Sequence, residues 1–176
     1  MSDIAPIAPI AQDALYVFID GSCLNNQSKS NKAGGYGVFF GDDDPRNVSK
    51  YLEHHKITNN TAELMGCLEA LTILEKETNL SRKIYIVTDS KYLYQACIDW
   101  IPNWEKNNWI SSTGKPVLNK DLFVQIREKY KKIRPIFKHT NSHTNEPSDK
   151  SSLEWKMWYG NMKADYLATQ ASHKKN

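Results

Sequence analysis

The run Leu15-Tyr16-Val17-Phe18-Ile19-Asp20-Gly21-Ser22 constrains this chain more than any other stretch. Tyr16 to Ile19 are β-branched or aromatic and fit a buried strand. The run stops at an acid, and Gly21 lets the backbone turn there. That reading puts Asp20 at the strand's C-terminal end, where burying an unpaired charge is costly. A cation, or a meeting of several acids, would give the carboxylate a purpose. The fold therefore has to bring something to that strand end.

A chain of 176 residues suggests one domain with ample room for a core. Residues 1–14, MSDIAPIAPIAQDA, lack a basic n-region and repeat a proline motif. They predict a short extended arm rather than a signal peptide, with no second domain ahead of Leu15. The folded domain is expected over 15–176. No apolar run approaches the roughly 20 residues a membrane helix needs, so no membrane partner is expected. The net charge of +3 is too small to imply nucleic acid by itself. Lys129, Lys131, Lys132 and Arg134 cluster, as do Lys106, Lys115 and Lys120 among tryptophans; a solvated face is the ordinary reading. Cys23, Cys67 and Cys97 are far apart and form no Cys-x-x-Cys, which argues against a zinc ribbon. It fits a reducing intracellular setting, cytoplasmic or nuclear.

Along the chain, strands are predicted at Leu15–Asp20, Gly34–Phe40 and Val48–His54, an antiparallel meander with a turn at 41–47. A helix follows from about Thr61 to Glu77, with N-cap candidates in Thr58-Asn59-Asn60-Thr61. Glu63 falls in its first turn, where the helix dipole favours acids. Lys83–Thr88 is a fourth strand, ended by Asp89-Ser90, either of which can cap the helix that follows. The stretch from Trp100 to Pro116 is too polar for core and too aromatic for a linker. A helix over Lys120–Lys131 and a short strand over Pro135–Lys138 follow. The last helix covers Asn161–Ala171 and starts as early as Ser152 if Leu153, Met157 and Gly160 extend its stripe. Strand–helix–strand alternation implies a parallel pair reached by a crossover. The fold class is α/β, a five-stranded mixed sheet flanked by helices.

Four acids sit at special places in this order. Asp20 ends the first strand, Glu63 opens the first helix, Asp89 ends the fourth strand, and Asp165 lies in the last helix. Each alone has an ordinary reading as a turn, cap or surface residue. If the first and fourth strands are parallel neighbours, Asp20 and Asp89 stand together, off the carboxyl ends where ligands of open α/β sheets bind. Converging carboxylates repel unless divalent cations lie between them. All-oxygen ligands select hard ions, Mg²⁺ or Mn²⁺. Two such ions about 4 Å apart activate a water and stabilise a leaving oxygen in phosphodiester cleavage.

The segments Asp20-Gly21-Ser22, Thr58-Asn59-Asn60-Thr61-Ala62-Glu63-Leu64, Thr88-Asp89-Ser90 and Gly160-Asn161-Met162-Lys163-Ala164-Asp165-Tyr166-Leu167-Ala168 resemble, in order, the four acidic motifs of type 1 ribonuclease H. The pattern WxxxWxxNxWxxxxGKxVxNxDLF from Trp100 to Phe123 is similar to the basic protrusion of the cellular enzymes, here about 100–118. The resemblance runs from Leu15 to Ala171. It implies a ribonuclease H-like fold and endonucleolytic cleavage of the RNA strand of an RNA–DNA hybrid, giving 5′-phosphate and 3′-hydroxyl ends. Two Mg²⁺ ions are implied, with Mn²⁺ able to substitute, and a monomer is expected. A non-catalytic nucleic-acid-binding module of this fold and a related nuclease of the superfamily are the alternatives.

The resemblance also implies roles. Asp20 would touch both ions, Asp165 would complete the site of the ion that activates water, and Glu63 and Asp89 would hold the other. His143 is similar to the family's histidine that helps the leaving group or product depart. His139 is its competitor, and otherwise reads as surface, like His54 and His55. Asn59 and Asn60, with Asn26, match readers of the RNA strand, whose 2′-hydroxyl DNA lacks. Lys56, Thr58 and Asn119 fall where the family binds a phosphate of the DNA strand. Lys56 stands where arginine is common, so its contact would be a point charge rather than a fork. Tyr92, Trp100 and Trp104 match a channel that packs on deoxyribose. The segment between His143 and Asp165 is longer than in the common cellular enzymes, with an insertion at about 144–158; it either lengthens the last helix or forms a lid. The family's N-terminal hybrid-binding domain has no counterpart, which predicts less processive action.

Overall fold

The computed structural model describes residues 14–25, 27, 32–77 and 81–174. Five strands form one sheet in the order β3-β2-β1-β4-β5. They are β1 (Leu15–Leu24), β2 (Ala33–Phe39), β3 (Val48–Tyr51), β4 (Ile84–Thr88) and β5 (Ile136–His139). Between and after them come α1 (Asn59–Glu75), α2 (Lys91–Gln95), a π-helical stretch Ala96–Trp100, α3 (Ile101–Lys106), α4 (Lys120–Ile133) and α5 (Leu153–His173). The mixed α/β sheet is as the sequence predicts: β1 to β3 are antiparallel, while β4 and β5 join parallel to β1. The predicted arm lies outside the described residues except for Ala14.

The central strand has two different neighbours along its length. Its first half, Leu15 to Phe18, pairs in parallel with Ile84 to Val87. Its second half, Phe18 to Leu24, pairs antiparallel with β2. Asp20 is therefore not at a strand end, a correction to the sequence reading. It lies within β1, opposite Gly37, just past the point where β4 stops. The strand's other edge is open there, and β4 delivers Asp89 beside it.

Gly21 likewise makes no turn. It is in the strand, and its missing side chain lets α1 approach: a Cβ there would lie 2.4 Å from the Glu63 backbone nitrogen and 2.6 Å from the Ala62 carbonyl carbon. Gly21→Ala is thus expected to cost about 2–3 kcal/mol in denaturant unfolding, because backbone rather than a flexible side chain must move. An unchanged midpoint would show that α1 can recede freely.

Alternation along the strands sends residues to two cores. Val17, Ile19, Val38 and Ile86 face α1, α2 and α4, where they meet Leu64, Leu71, Leu93, Phe123 and Ile126. Tyr16, Phe18, Phe39 and Val87 face α5 and its Ala164. The stripe Ala164, Ala168 and Ala171 is fully buried, and Gly37 lets it approach closely: a Cβ at Gly37 would lie 2.4 Å from the Ala164 carbonyl oxygen. Cys67 and Cys97 are core residues.

Several boundaries differ for local reasons. Helix α1 starts at Asn59 because Thr58 caps it: Thr58 Oγ1 accepts from the Thr61 N–H at 3.1 Å, and Thr61 Oγ1 accepts from the Thr58 N–H at 2.9 Å. Glu63 consequently lies past the first turn, which holds no acid, so the dipole argument does not account for it. Strand β3 ends at Tyr51, short of His54; the chain turns where His54 Nδ1 accepts from the Lys56 N–H at 3.1 Å. The tryptophan-rich stretch is less separate than its polarity suggests. Ile101 and Val117 are buried, and Trp100, Trp104 and Trp109 pack on the main core. Ser152 caps α5 by accepting from the Trp155 N–H at 3.0 Å, so the insertion divides between a loop and added turns of this helix.

Candidate active site

Three elements converge on the gap beside β1. Asp20 comes from the strand, Glu63 from α1 across Gly21, and Asp89 from the end of β4. One carboxylate oxygen of each lies within 4.8 Å of the others. Asp20 and Glu63 are buried; Asp89 is half-buried. Helix α5 brings Asp165 against Asp20, completing the predicted set of four.

The electrostatics are unfavourable throughout. Burial, then the charges of Asp89 and Asp165, push the Asp20 carboxyl up to about 8, against a smaller opposing contribution from the Gly21 N–H. Burial and then the Asp20 and Asp89 charges push Glu63 well above the carboxylate range. Glu63 Oε2 is buried without a hydrogen-bond partner. An acceptor-only group in this state calls for a cation or a proton. The donor set is all oxygen, with no thiol or imidazole in the group, and fits a hard divalent ion. Asp20 thus meets Glu63 and Asp89 in one cluster and is also raised by the charge of Asp165.

Two side chains that the sequence reading does not assign to the site hold Asp89. Asn161, buried on α5, donates from Nδ2 to Asp89 Oδ2 at 3.2 Å. The signal for it is its place four residues before Asp165, on the same helical face. His139 is not mere surface: it is half-buried, and its Nε2 lies 3.1 Å from the Asp89 carbonyl oxygen. His143 is exposed, in a loop with positive φ of 53°, and lines a cavity of about 220 Å³ with Asp89, Asp165, Asn161 and Trp158.

The predicted substrate residues fall into two groups. Asn59 and Asn60 are exposed on the first turn of α1, one turn before Glu63. Asn26 lies outside the described residues. Lys56 is exposed, whereas the Thr58 hydroxyl is engaged as the helix cap. His54, read from sequence as surface, is a correction: its side chain is only 10% exposed and its Nε2 lies 3.6 Å from Asp121 Oδ2. That contact draws the 54–58 loop to the start of α4, where Asn119 stands. Asn119 donates from Nδ2 to the Tyr92 hydroxyl at 3.4 Å. Tyr92, Trp100 and Trp104 form a continuous half-buried row, with successive centroids 5.7 Å apart.

Known proteins resemble this chain in sequence and in fold. The RNase H family model matches residues 12–173. A protein named Ribonuclease H from Rickettsia felis is 36% identical over 156 residues, covering 88% of each chain. One of the same name from Schizosaccharomyces pombe is 34% identical over 160 residues, covering 91% of this chain but 53% of its own, so this chain spans about half of that relative. Among solved structures, the PFV RNase H domain superposes with a TM-score of 0.67 at 21% identity, covering 92% of this chain and 96% of its own. A foamy viral protease–reverse transcriptase in complex with an RNA/DNA hybrid gives 0.74 at 22%, covering 99% of this chain and 22% of its own. These two likenesses concern the fold. The sequence matches reach further, and by them the chain belongs to the ribonuclease H family.

Proposed function

We propose that the chain is an endonuclease that hydrolyses the RNA strand of RNA–DNA hybrids, leaving 5′-phosphate and 3′-hydroxyl ends. The observation that carries this reading is the meeting of the Asp20, Glu63 and Asp89 carboxylates in a chain of this family. Mg²⁺ is the metal that the oxygen donors suit, with Mn²⁺ able to replace it. Asp20, Glu63, Asp89 and Asp165 would hold two such ions, which when bound supply activation of the attacking water and stabilisation of the leaving oxygen. That Asp20 meets Glu63 and Asp89 and also interacts with Asp165 supports the reading that it would serve both ions.

The remaining residues bind and orient. Asn161 and His139 keep the Asp89 carboxylate and backbone aimed at the gap. His143, which lines the cavity with Asp89 and Asp165, would give a proton to the departing 3′-oxygen or assist product release. Asn59 and Asn60, beside Glu63, present amides that can both donate to and accept from a 2′-hydroxyl; Asn26 is assigned the same role by resemblance. Lys56, Thr58 and Asn119 would take a DNA-strand phosphate. The row of Tyr92, Trp100 and Trp104 offers flat apolar faces to deoxyribose.

Incubation with labelled hybrid, duplex DNA, duplex RNA and single strands in Mg²⁺ tests the reading. Cleavage of the hybrid's RNA strand alone is expected. Uncleaved hybrid would leave a binding module, and cleavage of duplex DNA would favour another nuclease of the superfamily. His143→Ala is expected to lower kcat about 10- to 100-fold with hybrid affinity retained. An unchanged kcat would remove the histidine from the mechanism.

A further inference from the structure

We infer that Trp158 is a positioning residue for His143: its indole N–H, donated to the carbonyl oxygen of Thr144, fixes the loop that presents the histidine to the acidic cavity. This rests on the assisting role proposed for His143. The loop from Thr140 to Ser152 has no helix or strand of its own. His143 within it adopts a left-handed backbone with φ of 53°, uncommon for a residue other than glycine. The extended start of α5 holds this loop on both sides of Asn145. Trp158 Nε1 donates to the Thr144 carbonyl at 3.0 Å, and Trp155 Nε1, one turn earlier, donates to Glu146 Oε1 at 3.0 Å. An indole N–H is a donor only, so each ring has one polar task and that task is the loop.

The anchor is itself held. Trp155 stacks on Tyr159 with centroids 4.7 Å apart and planes 12° apart. The Tyr159 hydroxyl donates to the Asp42 carboxylate at 2.8 Å, on the β2–β3 turn. The tie therefore runs from the β2–β3 turn through Tyr159 and Trp155 to Trp158, whose ring centroid lies 6.2 Å from that of Trp155, and so to the residue next to His143. Trp158 also lines the same cavity as Asp89, Asp165 and His143. The lengthened segment between His143 and Asp165 thus has a holding role. It supplies two indole donors that hold a long loop in place.

The test is steady-state hybrid cleavage by Trp158→Phe, which keeps an aromatic ring but loses the N–H, in the wild-type and His143→Ala backgrounds. A second variant with 3-benzothienylalanine at 158 replaces only the N–H by sulfur and guards against misfolding of the first. Both should lower kcat about fivefold, the worth of one ordinary hydrogen bond, with KM and melting temperature little changed. In the His143→Ala background the loss should vanish. The same loss in both backgrounds, a raised KM at unchanged kcat, or full activity would overturn the inference. If His143→Ala alone leaves kcat unchanged, the histidine's role fails first and this role falls with it.

Discussion

Asp20→Asn is expected to reduce hybrid cleavage to background and, at the same time, to raise the melting temperature of the metal-free protein at pH 8 by about 2–8 °C. Both follow from one fact: this carboxylate is buried among others and carries more repulsion than any partner relieves. The folded-state pKa of Asp20, about 8, lies above its unfolded value of about 3.9. The native state therefore holds the proton more tightly. The resulting stability is fully present below pH ~4 and is lost as the pH rises through about 8. Glu63, shifted in the same direction, adds to the trend. Asparagine keeps the shape, removes one charge and can donate to Asp89 or Asp165. Circular-dichroism melts in chelator from pH 5 to 9 check this. The wild type should lose stability across that range and Asp20→Asn should lose less; parallel curves would mean that Asp20 is not the strained group.

Divalent metal should reverse the same strain. Chelation is expected to bring cleavage to background, and Mg²⁺ at about ten times its dissociation constant should stabilise the wild type at pH 8 by about 1.4 kcal/mol, or roughly 3–6 °C. The effect should shrink toward pH 5, where protons compete for the same oxygens. It should be largely absent in Asp20→Asn. Thermal melts across a Mg²⁺ titration at the two pH values measure it. Equal stabilisation of the variant and the wild type would place the ion elsewhere on the surface.

Much of this site is legible in the amino-acid sequence. Three of the acids stand out because each ends or flanks a run whose periodicity announces it: Asp20 and Asp89 follow apolar runs, and Asp165 sits beside an alanine stripe. What misleads is the local reading of residues that answer to distant partners. Gly21 reads as a turn because glycine usually serves backbone freedom, yet here it serves the approach of α1. Glu63 reads as dipole-stabilised if the helix starts at Thr61; the Thr58 cap moves that start earlier. His54 and His139 read as surface because nothing beside them in sequence reveals Asp121 or the Asp89 carbonyl.

The sequence by itself determined the order of elements and the mixed sheet, because period-2 and period-3.6 patterns are local and survive without knowledge of packing. Only the tertiary structure decided that Asp20 lies inside its strand, at the point where the parallel neighbour ends and the antiparallel one continues. Only the tertiary structure brings Asn161 to Asp89 across 72 residues, and Trp158 back to Thr144. Such contacts depend on strand register and on the distance between helix and sheet. Those are set by small residues such as Gly21 and Gly37, whose effect is the space they leave for other elements.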